Sequence, residues 1–149
     1  MNERDVFRKT ERLLHNYRHN LSQLEVLVSK LADIQLRGDI HAQDYTGRLK
    51  SGAGDADPVS CHVQRILDIE HRISVLERYT VPITMLHADL RRSPDGMNRH
   101  YIIILEGFYM EGLPLTRLLE QTRWSRNTFY SRRFYLVGLA AEYLGFKAD

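Results

Sequence analysis

Between Ser125 and Arg133 the chain reads Ser-Arg-Asn-Thr-Phe-Tyr-Ser-Arg-Arg, and only Phe129 lacks a side-chain group that can hydrogen-bond. The guanidinium groups of Arg126, Arg132 and Arg133 suit phosphate oxygens or guanine edges. The amide of Asn127 suits adenine, and the hydroxyls of Ser125, Thr128, Tyr130 and Ser131 suit phosphate oxygens or bases. On one face of a helix this set has the chemistry to hold double-stranded DNA. Arg117 and Arg123 stand just before it. From Arg117 to Tyr135 five arginines face a single acid, Glu120, a local balance of +4, whereas residues 1–90 carry 12 basic and 13 acidic side chains. The positive field is therefore concentrated where counterion release would supply affinity. Surface arginines are common on small helical proteins, so spacing has to decide between a solvated helix and a binding face.

Three helices are expected to position these groups. In the first, Tyr101, Ile102, Ile104, Leu105 and Phe108 recur at three- and four-residue spacing, with a stop near Gly112. Pro114 should open a short second helix, where a fixed φ and a missing N–H cost nothing, and Leu115, Leu118 and Leu119 form its apolar stripe. Gln121 to Trp124 make the turn, with Trp124 covering the small core. Ser125 is placed to cap the third helix by accepting from free backbone amides. Phe129, Leu136 or Val137, Ala140 and Leu144 share its inner face, which leaves Arg126, Asn127, Tyr130, Ser131 and Arg133 pointing out. A short helix, a tight turn and a basic second helix form the punctuation of a helix-turn-helix, which lays its second helix in the major groove.

The run ILEGFYMEGLPLTRLLEQTRWSRNTFYSRRFYLVGLA resembles the C-terminal part of phage late-transcription regulators of the RinA/ArpU type. That pattern joins a helix ending in Y-x-x-G to a short helix, then S-x-x-T-[FV]-Y and a basic helix ending in L-A. The matching positions are Tyr109, Gly112, Leu118, Ser125, Thr128, Phe129, Tyr130, Arg132, Arg133, Leu139 and Ala140. The stretch is also similar to the helix-turn-helix of sigma-factor region 4. The Gly/Ser/Asp linker, Pro58 and the long helix after it belong to the same likeness, which reaches back to about Ser51. The sequence departs from the pattern at Trp124, where a smaller aliphatic residue is usual, and at Gly138, which interrupts the last helix. The resemblance implies a sequence-specific DNA-binding transcriptional regulator of phage late genes.

Upstream, Leu14, Tyr17, Leu21, Leu24, Val28 and Leu31 step by three and four, with Phe7 one heptad before Leu14. The spacing predicts one long helix over 3–34 with a seam for another helix. Residues 35–57 carry four glycines and several aspartates and are expected to form a polar loop. Pro58 should begin a second long helix over 58–90, with Val63, Ile66, Ile69 or Glu70, Ile73, Leu76, Thr80, Ile83 and Leu90 on its seam. Pro82 is expected to kink or end it near Thr80 or Val81. The expected fold class is all-α, with a helical hairpin over 1–92 for oligomerisation and a helix-turn-helix domain over 97–149. Paired hairpins would make a homo-oligomer, most simply a dimer, holding two reading heads about one helical turn apart and raising affinity roughly 10²-fold or more by effective concentration. A monomer that docks on RNA polymerase, as sigma region 4 does, is the alternative use of the same helices.

Other function classes find little here. His15 and His19 stand four apart, but no glutamate lies beside His15 as a zinc hydrolase motif requires. His62, His71, His87 and His100 are scattered. Asp55 and Asp57 lack the other ligands of a calcium loop, and Gly52-Ala53-Gly54 lacks the lysine and preceding strand of a phosphate cradle. No enzyme, metal or cofactor is expected. The single Cys61 fits a reducing compartment and a buried structural thiol. With a charged N-terminal stretch and no apolar run of about 20 residues, neither a secretory signal nor a membrane span is expected, and the cytoplasm of a bacterial host is the expected location. A phage small terminase subunit also joins a helix-turn-helix to oligomerising helices, but places it at the N-terminus and builds rings. It stands as the second expectation.

Overall fold

The structure, a computed structural model, describes residues 1–45 and 58–149. Among the described residues it is all-α. Helix α1 spans Glu3–His15, α2 Tyr17–Tyr45, α3 Pro58–Arg92, α4 Met97–Ile103, α5 Leu115–Thr122 and α6 Arg126–Leu144. A π-helical segment, Ile104–Met110, continues α4. No helix among the described residues is long and apolar enough to cross a membrane.

The chain forms two compact units, Met1–Asn20 with Arg78–Asp149, and Leu21–Glu77. The expected division near residues 92–97 is therefore not where the chain separates. The first helix and the end of the third join the C-terminal helices in one unit, and only the middle of the expected hairpin stands apart. The single helix expected over 3–34 is likewise two helices. Asn16 ends α1, its N–H donating to the Arg12 carbonyl at 3.0 Å, and its own carbonyl then starts α2 by accepting from Asn20 at 2.8 Å. This break lets α1 turn its Val6, Thr10 and Leu14 face, all buried, onto α6 and the π-helical segment. The buried Thr10 hydroxyl is satisfied by the Val6 carbonyl at 2.7 Å.

In the first unit the core gathers Leu14, Ile83, Leu86, Ile104, Leu105, Leu118, Phe129, Leu136 and Val137, each no more than 2% exposed. Helix α3 runs through Pro82 to Arg92 instead of ending near Thr80. The proline removes one amide donor. Two residues on, the Thr84 hydroxyl donates to the Thr80 carbonyl at 3.0 Å and meets the Tyr17 hydroxyl at 2.5 Å, so polar side chains serve this stretch of backbone. Thr80 before the proline and Ile83, Leu86 and Leu90 after it are all buried and hold the helix to the core.

The first helix of the expected reading unit is wound more loosely than its spacing predicts. Glu111 N–H donates to the Glu106 carbonyl five residues back and Leu113 to Gly107 six back, both at 2.9 Å. The wider turn buries both Ile104 and Tyr109, five apart. Two ties fix this region to α3. Glu106 accepts from Arg91 and pairs with His87 at 2.7 Å, and Tyr143 on α6 donates to Asp89 at 2.6 Å. Burial alone would raise the Glu106 pKa, but the bonds from His87 and Arg91 and the Arg91 charge outweigh it and hold it below its ordinary value. The chain then turns at Gly112, whose φ of +69° suits a residue without a side chain.

In the second unit Leu21, Leu24, Leu27 and Leu31 are half-buried and Ile34 is buried, while His62, Ile66, Ile73 and Leu76 flank the buried Ile69 on α3. The heptad rhythm holds, with a shift at two positions. Val28 and Val63 are each 49% exposed, and Leu27 and His62 take the inner places. Lys30 meets Arg65, Asp68 and Ile69 across a shallow groove between α2 and α3. Helix α2 also continues to Tyr45, through the first half of the expected loop, with an Asp33–Arg37 pair at 3.4 Å on its surface. The rest of that loop, with Asp55, Asp57 and Gly52-Ala53-Gly54, lies outside the described residues. Cys61 is exposed, not the buried thiol expected, because it sits off the inner face of α3.

Candidate nucleic-acid interface

Helix α5 begins one residue after Pro114, which is its extended N-cap, and places Leu118 in the core against Gly107. The turn is Arg123-Trp124-Ser125. Arg123 takes φ +60°, a left-handed conformation that here reverses the chain after α5 while its N–H still reaches the Leu119 carbonyl at 2.8 Å. Ser125 caps α6 as its position predicts. Its Oγ accepts from the Thr128 backbone N–H at 3.1 Å and lies 2.9 Å from the Thr128 hydroxyl.

The rotation of α6 about its own axis then decides which groups are available. Phe129, Leu136, Val137, Ala140 and Ala141 are buried. Opposite them, Asn127, Ser131, Phe134, Tyr135 and Gly138 make an exposed ridge, since 3.6 residues per turn bring these positions onto one side. Arg126 is exposed at the start of the helix, and Arg117 and Arg123 are exposed on and after α5. Of the expected readers, Arg126, Asn127 and Ser131 are thus exposed on the surface, and Ser125 and Thr128 are engaged in the cap. Phe134 and Tyr135, both 61% exposed, belong to the same ridge. They were not among the residues singled out in the sequence, although stepping on from Asn127 and Ser131 by three and four reaches them.

The two adjacent arginines diverge. Arg133 turns inward to α1. Its guanidinium is 3.4 Å from the Glu11 carboxylate and lies over the rings of Phe7 and Tyr130, and its side chain is 26% exposed. Tyr109 donates to the same carboxylate at 3.0 Å, and burial together with the Glu11 charge pushes its hydroxyl pKa above the ordinary value. The outward place expected for Arg133 is therefore not the one it takes: the side of α6 that carries Arg133 is covered by α1. Tyr130, 43% exposed, borders this cluster.

Arg132 turns to the other flank, toward Trp124 and His100. Its guanidinium carbon lies 4.6 Å from the Trp124 ring centre, and its terminal nitrogen is 3.4 Å from His100 Nδ1. The His100 ring meets Trp124 edge-on, with centres 5.3 Å apart. Burial, then the charges of Arg132 and Arg99, lower the His100 pKa below its ordinary value of 6.5. Next to this trio Met97, Asn127, Thr128, Ser131, Arg132 and Tyr135 line an open notch of about 370 Å³. His15, spaced from His19 as a metal pair would be, instead packs its ring against Phe108 and Tyr109, and Asn16 separates the two histidines onto different helices.

No known protein family, curated protein or solved structure matches this chain.

Proposed function

We propose that the protein is a sequence-specific DNA-binding transcriptional regulator, with α6 as the helix that enters the major groove. The carrying observation is the capped, outward-facing N-terminal half of α6, which follows a short helix and a three-residue turn and presents Arg126, Asn127 and Ser131 exposed on the surface. In this scheme those three reach base edges. Arg117, Arg123 and Arg132 hold phosphates, and Ser125, Thr128 and Tyr130 border the contact. Arg133 contributes by fixing α6 to α1. The likeness to RinA/ArpU-type regulators supports phage late genes as the targets, and the likeness to sigma region 4 supports RNA polymerase as the partner of a monomer, the alternative to a dimer.

Two copies are proposed to pair through residues 21–34 and 58–77, because the 3–20 segment expected to help is spent on the core of the first unit. In the second unit Val26, Val28, Val59, Val63 and Leu67 are all exposed, an amount of apolar side chain that a second copy would cover.

Selecting bound fragments from random duplex pools with the full chain tests this function. A defined motif is expected, and Arg126→Ala should relax preference at one position at a cost of about 1–3 kcal/mol. Equal losses on selected and random duplexes would remove Arg126 from base reading, and no binding at low ionic strength would remove the function. The same preparation separates the terminase alternative, for which a ring of many copies is expected in place of a dimer.

A further inference from the structure

We propose that the notch beside α6 is a preformed seat for one backbone phosphate of duplex DNA, with Arg132 as its cation and Trp124 and His100 as the residues that hold Arg132 in place. The inference rests on the DNA-binding function above and deepens it. An arginine on a helix surface ordinarily samples many rotamers, and fixing it on contact costs affinity. Arg132 is already confined. The indole of Trp124 supplies a flat face 4.6 Å from the guanidinium carbon, and His100 Nδ1 stands 3.4 Å from a terminal nitrogen. Since a guanidinium only donates, His100 must accept there through an unprotonated Nδ1. Neither partner neutralises the arginine: among the described residues no acid is paired with Arg132, in contrast to Arg133 and its Glu11. The charge is therefore oriented and left available.

The rest of the notch suits a phosphate on the edge of a groove. Thr128 and Ser131 bring hydroxyls and Asn127 an amide, all donors, while Met97 and Tyr135 form its rim. Asn127 and Ser131 also lie on the exposed ridge, so a phosphate seated here fixes how deep and at what rotation the ridge meets the bases. Trp124 is the residue that makes the flat face.

The test is a double-mutant cycle on duplex affinity, measured with the full chain and a labelled duplex over a range of salt. Arg132→Ala should weaken binding to every sequence and reduce the slope of log affinity against log salt by about 0.9, the release from one phosphate. Trp124→Leu should weaken the native protein by about two- to fivefold, the usual worth of an exposed cation–π contact. In the Arg132→Ala background it should cost nothing further. Trp124→Phe, which keeps a ring face, should recover part of the loss. If Trp124→Leu melts early, Trp124→Phe and His100→Ala carry the same cycle. Equal losses in both backgrounds, or an unchanged slope for Arg132→Ala, would overturn the seat while leaving DNA binding intact. A native protein that ignores every duplex would overturn both. Inorganic phosphate at matched ionic strength should compete no better than chloride, and specific competition would reassign the notch to a free anion.

Discussion

The two units spend their apolar residues differently. All the largest fully buried side chains, from Phe129 and Leu14 to Leu136 and Val137, belong to the first unit. In the second, only Ile34 and Ile69 are buried among the described side chains, and seven large hydrophobic residues are exposed from Val26 to Val75. Two helices laid side by side can hide only one stripe each, whereas the several helices of the first unit, with Phe129 fully buried, enclose a centre. The contrast teaches that the first unit carries its own stability and holds its surface groups in fixed places. The second has its rhythm but lacks enough neighbours.

The sharpest way to break that contrast is to truncate one side chain in each unit. Phe129→Ala should lower unfolding free energy by about 3–5 kcal/mol, read by denaturant melts, while Leu67→Ala should leave those melts almost unchanged and reduce the molar mass in sedimentation at low concentration. A large stability loss from Leu67→Ala in a monomeric sample would show the second unit to be self-sufficient. Arg133→Ala comes next. Because it takes from Glu11 its cationic partner, leaving the bond from Tyr109, and uncovers Phe7, it should destabilise by about 1–3 kcal/mol with no change in the salt slope of duplex binding. A flatter slope would return Arg133 to the phosphates.

Glu106→Gln sharpens the picture of the first unit through pH. With its folded-state pKa lowered, Glu106 adds stability above the ordinary value of 4.5, and that contribution is lost as pH falls through the folded-state value. Native and Glu106→Gln proteins should differ in melting temperature near neutrality and converge on acidification; a constant gap would deny the carboxylate its charge-dependent role. The smallest effect is a gain. Gly138 has nothing within 4 Å of where a Cβ would sit, so Gly138→Ala should add about 0.5–1 kcal/mol in the same melts.

Much of this was legible in the residues themselves. Ser125 announces the start of α6 by its type and place, and the inner face of α6 follows from Phe129, Leu136, Val137 and Ala140 at helical spacing. The stripe of α3 from Ile66 to Leu90 was equally plain. Other features depend on neighbours the sequence does not name. Asn16 sits inside an unbroken heptad, and only the packing of α1 on α6 makes a break there worthwhile. Pro82 reads as a stop, yet a helix anchored on both sides of it tolerates one lost bond. The outward side of α6 expected from the sequence includes Arg133, because apolar spacing does not tell that α1 covers that side. The nearest partners, Trp124 and His100 for Arg132 and Glu11 for Arg133, come from three other parts of the chain.

The loosely wound stretch from Ile104 to Met110 has a mechanical meaning for all that follows it. It accommodates a surplus residue, and each residue of a regular helix corresponds to about 100° of rotation. Were the stretch wound as a regular helix with its present number of residues, the exit toward Gly112 would swing by about that angle, re-aiming α5 and α6 as a rudder is re-aimed by its post. The bearing of the arginine-rich helix is thus geared to a segment that itself bears no arginine.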